Sequence, residues 1–153
     1  MLLGLIFVLV AAGASADDIR PKNLDADGVV MKGYDVVVYR DGGTPMPGRS
    51  DITAEHDGAV YRFVSEANRA AFVADPAAYA PSYGGYCAFG VLMGEKVDID
   101  PTHYRFVDGR LLVFFSGGTK SQWVKKPAEN LALSDQVWER IRDVPQSRLP
   151  LKE

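Results

Sequence analysis

Two Asp-Gly pairs, Asp57-Gly58 and Asp108-Gly109, each stand between arms rich in β-branched and aromatic residues. Both central positions of a two-residue type I′ turn need positive φ, which Asp and Gly tolerate, so each pair predicts a tight antiparallel hairpin. The first hairpin joins Ile52 to His56 with Ala59 to Val64, and the second joins Tyr104 to Val107 with Arg110 to Phe115. On the arm after Gly58, Val60, Arg62 and Val64 face one way, and Tyr61 and Phe63 the other. His56-Asp57-Gly58…Tyr61-Arg62-Phe63 and His103-Tyr104-Arg105-Phe106…Asp108-Gly109 echo each other. The turn lies on opposite sides of Tyr-Arg-Phe in the two, which reads as chance reuse of strand vocabulary. Asp35 to Arg40 (DVVVYR) reads as a further buried strand.

Helices fill the remaining segments. Ser65 fits an N-cap with Glu66 in the first turn, opening a helix over Ala67 to Ala74. Asp75-Pro76 restarts a short one over Ala77 to Ala80, ended by Pro81. Ala88 to Met93 is apolar and fits either a short helix or a strand. Ser121 to Lys126 and Glu129 to Arg142 read as helices parted by Pro127, the last with an apolar stripe of Leu133, Val137 and Ile141. Two hairpins flanking short helices and a C-terminal helix predict an α+β fold in a single small domain.

Residues 1–16 (MLLGLIFVLVAAGASA) carry no charge and end in Ala14-Ser15-Ala16 before Asp17-Asp18. The apolar run is too short for a bilayer span, which needs roughly 20 residues. It reads as a signal peptide cleaved after Ala16, so the protein is expected to be periplasmic or secreted and free of the membrane after cleavage. Residues 17–27 read as a flexible leader, 28–142 as the folded domain and 143–153 as a loose tail. The chain has 17 basic and 20 acidic residues, a net charge of −3, and no run of Lys or Arg. That balance argues against a nucleic-acid partner. One cysteine excludes an internal disulfide, and two histidines exclude a three-histidine metal site within one chain.

Lys32-Gly33-Tyr34-Asp35, Tyr39, Tyr61-Arg62-Phe63-Val64-Ser65-Glu66-Ala67-Asn68-Arg69, Phe72, Asp75-Pro76, Tyr79 and Tyr83-Gly84-Gly85-Tyr86-Cys87-Ala88 follow one another in the order seen in one family. With these motifs the chain resembles a YHS domain family protein, of the exported, single-domain branch with a YGGYCA block. The resemblance runs from about Gly28 to about Trp138. It implies a small α+β domain associated with transition metals, especially copper. Pump-associated relatives carry cysteines where this chain has Val38, Val64 and Asn68, so their thiolate-rich site is absent and the thiol of Cys87 remains.

Cys87 is therefore the residue on which the functional expectation turns. Gly84-Gly85 lack side chains and leave room before the thiol for a ligand or partner. If Ala88 opens a helix, its dipole would lower the thiol pKa. Thiolate, imidazole and thioether together suit Cu(I), so Cys87 is the expected metal ligand, with His56, His103, Met93 and Met46 as co-ligands in that order. Tyr34, Tyr83 and Tyr86, with Gly84 and Gly85, are expected to line the site. Two chains could also bridge through Cys87 as a homodimer. Each histidine taken singly reads more readily as an exposed turn residue, and the methionines as core fillers.

The expectation is thus an exported module binding or handling a transition metal, most plausibly a copper ion, without catalytic turnover. Two alternatives stand beside it: a thiol-based redox protein using Cys87, and a non-catalytic interaction domain with an inert buried Cys87. A cysteine hydrolase would pair Cys87 with His56 or His103 and Asp57 or Asp100, but no recognised spacing supports it.

Overall fold

Both Asp-Gly pairs turn the chain as the sequence predicts. The computed structural model describes residues 19–40 and 42–149; the export signal read over residues 1–16 lies outside the described residues, as does the end of the tail. Asp57 (φ 48°) and Gly58 (φ 72°) join β1 (Arg49–His56) to β2 (Ala59–Phe63). Asp108 (φ 50°) and Gly109 (φ 75°) join β3 (Asp100–Val107) to β4 (Arg110–Phe114). Each pair forms its own two-stranded antiparallel sheet. On β2 the alternation holds, with Ala59, Tyr61 and Phe63 buried. On β4 it does not: Leu111 to Phe114 are all buried, because helices and turns cover both faces of that strand.

Four helices pack around the hairpins: α1 (Glu66–Ala74), α2 (Ala88–Leu92), α3 (Gly117–Trp123) and α4 (Pro127–Ile141). Ser65 caps α1 by accepting the Asn68 N–H, and Pro127 opens α4. The result is an α+β fold in a single small domain, two hairpins packed with short helices and a C-terminal helix. None of the helices among the described residues is long and apolar enough to cross a membrane.

Four local readings are corrected. Val36–Tyr39 is a 3-10 turn and not a strand, because the Asp35 carboxylate accepts the Val37 N–H and caps it, overriding the β preference of three valines. On α4 the inward face is Leu131, Ser134 and Ile141, while Leu133 is 42% exposed. A polar residue sits in that stripe because the Ser134 hydroxyl accepts the buried Trp123 indole N–H at 3.3 Å. The leader is not loose: Asn23 N–H donates to the Gly84 carbonyl at 2.9 Å, and Leu24 bridges Val30. Asp25 accepts the Asp27 and Val29 N–H groups. At the other end, Lys96 donates to the carbonyls of Arg142 and Val144, and Gln146 donates to the Lys96 carbonyl, so the described part of the tail is also held.

Aligned on their turns, the two hairpins are not a chance echo. Shifting by 51 residues carries the register Arg49↔Phe63, Thr53↔Arg62, His56↔Ala59 onto Asp100↔Phe114, Tyr104↔Val113, Val107↔Arg110, with the irregularity at the same place in both. The shift continues into the helices. Ser65 and Ser116 cap, Phe72 and Trp123 fill the core at 0% exposure, and Pro76 and Pro127 start the next helix.

Upstream the shift is 52. Met31, Lys32 and Gly33 (φ 56°, 52°, 77°) match Tyr83, Gly84 and Gly85 (φ 55°, 60°, 81°). The Tyr34 and Tyr86 N–H groups each close their 3-10 turn. The Asp35 N–H bonds to the Met46 carbonyl, and that of Cys87 to the Val97 carbonyl. Parallel bridges Val29↔Val60 and Pro81↔Leu111 also correspond. The domain is one structural unit built twice, and Cys87 stands where the first unit has Asp35.

Candidate functional site

In the first unit the shared position is held by a carboxylate. Asp35 is 0% exposed and accepts from the Val37 N–H, the Val64 N–H and the Asn68 amide, each at 2.8 Å. It thereby ties the 3-10 turn, the end of β2 and the start of α1 together. A buried carboxylate is tolerable when its oxygens are satisfied in this way.

In the second unit Cys87 is 1% exposed. It bridges Val113 on β4 and stands at the N-cap of α2, with no capping hydrogen bond from its side chain. It belongs to the hydrophobic core with Tyr86, Ala88, Val91 and Val113.

The approach to the thiol is occupied. A Cβ on Gly84 would overlap the Pro21 carbonyl, and one on Gly85 would press on Val30 at 3.3 Å. The glycines therefore admit the protein's own leader instead of leaving a vestibule. Tyr86 donates toward the Arg20 and Lys22 carbonyls, both at 3.1 Å, which fastens the leader over the same loop. Burial pushes the Tyr86 hydroxyl up to about 12.

Tyr83 donates to Asp135 at 2.9 Å. Asp135 also receives two parallel hydrogen bonds from Arg110, both at 2.9 Å, and the Arg110 guanidinium lies 5.3 Å from the centre of the Tyr83 ring. Burial alone would raise the Asp135 carboxyl, but hydrogen bonds from Arg110 and Tyr83 outweigh it and hold the group below the usual carboxylate range. Tyr83 moves the other way, raised first by burial and then by its bond to Asp135. The expected site-lining tyrosines Tyr83 and Tyr86 thus act as pins. Tyr34 is half-buried and bridges Pro47.

The remaining expected ligands are spread over the surface. His56 packs edge-to-face on Phe72 at 5.9 Å. His103 lies 3.9 Å from the Asp100 carboxylate and beside Gly117. Met93 is 60% exposed and Met46 is 48% exposed, whereas Cys87 is in the core. Among the described residues there is no group of three or more His, Cys, Asp and Glu side chains placed to hold a metal ion.

What the fold does assemble is a cleft of about 330 Å³ between the leader, the first hairpin and α4, lined in part by Lys22, His56, Tyr61, Trp138 and Arg142. Gly84 reaches its wall, but Cys87 does not line it. Burial raises the Tyr61 hydroxyl to about 12, so it is protonated and able to donate at neutral pH. Lys22 is engaged by Asp57 at 2.6 Å, and Arg142 by Asp143 at 3.1 Å. Among the described residues no Ser, Thr or Cys lines the cleft beside His56. Tyr61 and Trp138 give the cleft an aromatic side, and Lys22, His56, Asp57, Arg142 and Asp143 a charged one, a combination that suits binding of a ligand.

The sequence signals missed Asp35 and this cleft. Asp35 was legible as a cap before Val36–Tyr39, but the valines suggested a strand. The cleft joins residues from four segments and has no local signature. No protein-family model, curated protein or solved structure matches the chain.

Proposed function

We propose that the protein is an exported, YHS-like, non-catalytic binding module, in which Cys87 is an inert packing residue and the cleft beside His56, Tyr61 and Trp138 receives the ligand or partner. The observation that carries this reading is the 1% exposure of Cys87 within the hydrophobic core, next to a loop whose Gly84 is occupied by the leader. The equivalent place in the first unit supports it. Asp35 there is a cross-linking residue, so the position serves the architecture in both halves. Export rests on the small-residue end of residues 1–16 and the acidic start that follows.

Copper held by Cys87 would require the sulfur to leave the core and recruit ligands from the half-buried His103 or the exposed Met93. Thiol accessibility decides between the readings. A disulfide reagent should modify Cys87 slowly in the native protein and fast in denaturant. Cu(I) titrated against a competing chelator should give the same curve for wild type and Cys87→Ser. Rapid native modification, or stoichiometric Cu(I) uptake that disappears in Cys87→Ser, would overturn the proposal and restore the redox or the metal reading respectively.

A further inference from the structure

A second groove, between the end of the 3-10 turn Val36–Tyr39 and β3, is lined by cations and, among the described residues, by no Asp or Glu. It encloses about 360 Å³ and is lined by Arg40, Tyr104, Arg105, Phe106 and Lys120, together with Tyr39 and Gly42. It shares no lining residue with the cleft at His56. None of the three cations enters an ion pair among the described residues, whereas Lys22, Lys32, Arg69 and Arg110 each meet a carboxylate. Arg40 lies 5.3 Å from the centre of the Tyr79 ring and donates to the Ala78 carbonyl. The Lys120 ammonium lies 5.9 Å from the centre of the Tyr104 ring. Arg105 is exposed. The adjoining Asp41 is outside the described residues. In a chain of net charge −3, such a set is a local reversal of sign.

The internal repeat shows that this charge is not a by-product of the architecture. Lys120 corresponds to Arg69, whose guanidinium donates to the Thr53 carbonyl at 2.6 Å and pairs with Glu66. In the second unit Glu66 is replaced by Gly117 and Thr53 by Tyr104, so Lys120 keeps its charge but has an aromatic face in place of the carboxylate. Arg105 replaces Ala54 at the matching strand position. At the positions that line the groove the second unit has gained one cation, Arg105, and two aromatics, Tyr104 and Phe106, and beside Lys120 it has lost the carboxylate of Glu66.

We propose that this groove binds a small organic oxyanion, a dianionic phosphate or carboxylate group carried on a flat apolar body. The anion lies among Arg40, Arg105 and Lys120, where charge-assisted hydrogen bonds replace the missing carboxylates. The body rests against Tyr104 and Phe106, which share one face of β3 and are both among the lining residues. The enclosed volume is at the small end for ligand pockets and fits one ring with its charged group, not an extended chain.

The test is calorimetric titration of the protein with phenyl phosphate, with inorganic phosphate and phenol as separate arms. Phenyl phosphate is expected to bind saturably at one per chain, more tightly than either arm, and to weaken in about 0.5 M salt, roughly three times the physiological level of about 0.15 M. Lys120→Gln and, independently, the exposed-strand variant Arg105→Gln should each weaken it about tenfold, while His56→Ala in the other cleft leaves it unchanged. Backbone amide shifts should localise to residues 104–106. Absence of saturation, or affinity unchanged in both charge variants, overturns the site. Inorganic phosphate binding as tightly as phenyl phosphate overturns the flat-body component.

Discussion

Removing the Asp35 carboxylate is the most informative single perturbation of this fold. In Asp35→Ala, three donors lose their acceptor together: the Val37 and Val64 N–H groups and the Asn68 amide. Water cannot readily replace it, because the residue is 0% exposed. Each hydrogen bond to a charged group is worth about 1.5–3 kcal/mol, and a donor stranded without water costs a similar amount. Asn68 can partly turn to solvent, so the sum is nearer three times the lower value than the upper, about 4–6 kcal/mol.

A domain of this size has only about 5–15 kcal/mol of stability, so the variant should be barely folded. At about 3 °C per kcal/mol, its Tm should fall by roughly 12–18 °C. Urea unfolding followed by circular dichroism gives the number directly, provided the m-value is unchanged. Asn68→Ala, which removes one donor and leaves two satisfied, should cost only about 1.5–2 kcal/mol. The double variant should cost less than the two singles combined, because both delete the same bond. An Asp35→Ala cost below about 1 kcal/mol, the worth of one ordinary hydrogen bond, would refute the idea that this carboxylate joins the first unit together.

Other consequences can be checked with the same measurements. Gly84→Ala adds a Cβ against the Pro21 carbonyl at a positive-φ position, so it should cost about 2–4 kcal/mol and loosen the leader, visible as faster proteolysis there. Gly58→Ala, also at positive φ but with open space around it, should cost only about 1 kcal/mol in urea unfolding. Because the Asp135 carboxyl is depressed in the folded state, its contribution is present above the unfolded value near 3.9 and is lost as pH falls through the folded one. Thermal melts of wild type and Arg110→Gln should therefore differ at neutral pH and converge in acid below about pH 4; a constant gap would contradict the assignment.

How much of this was visible in the residues depends on the range of the signal. The hairpins were legible because Asp-Gly turn chemistry is local, and so were the Ser65 cap and the restart at Pro76. Val36–Tyr39 was misread because a string of valines favours strand, and only the tertiary partners of Asp35, at Val64 and Asn68, select the tighter turn. The repeat is present in the sequence but is masked by the shared Tyr-Arg-Phe, a pairing that puts the turns on opposite sides. Aligning Asp57-Gly58 with Asp108-Gly109 brings Phe63, Ser65, Phe72 and Pro76 onto Phe114, Ser116, Trp123 and Pro127. The thiol misled for a related reason. Two glycines before a cysteine suggest open space, and nothing local says that residues 20–23 fill it.

Carrying both copies on one polypeptide has a genetic consequence. In an assembly of identical half-length chains, any change at the position of Asp35 would occur twice, and an acid could not become a thiol on one side only. Joined in tandem, each copy is free to drift alone. One can keep the hydrogen bonds that brace its half while the other fills the same place with an apolar core.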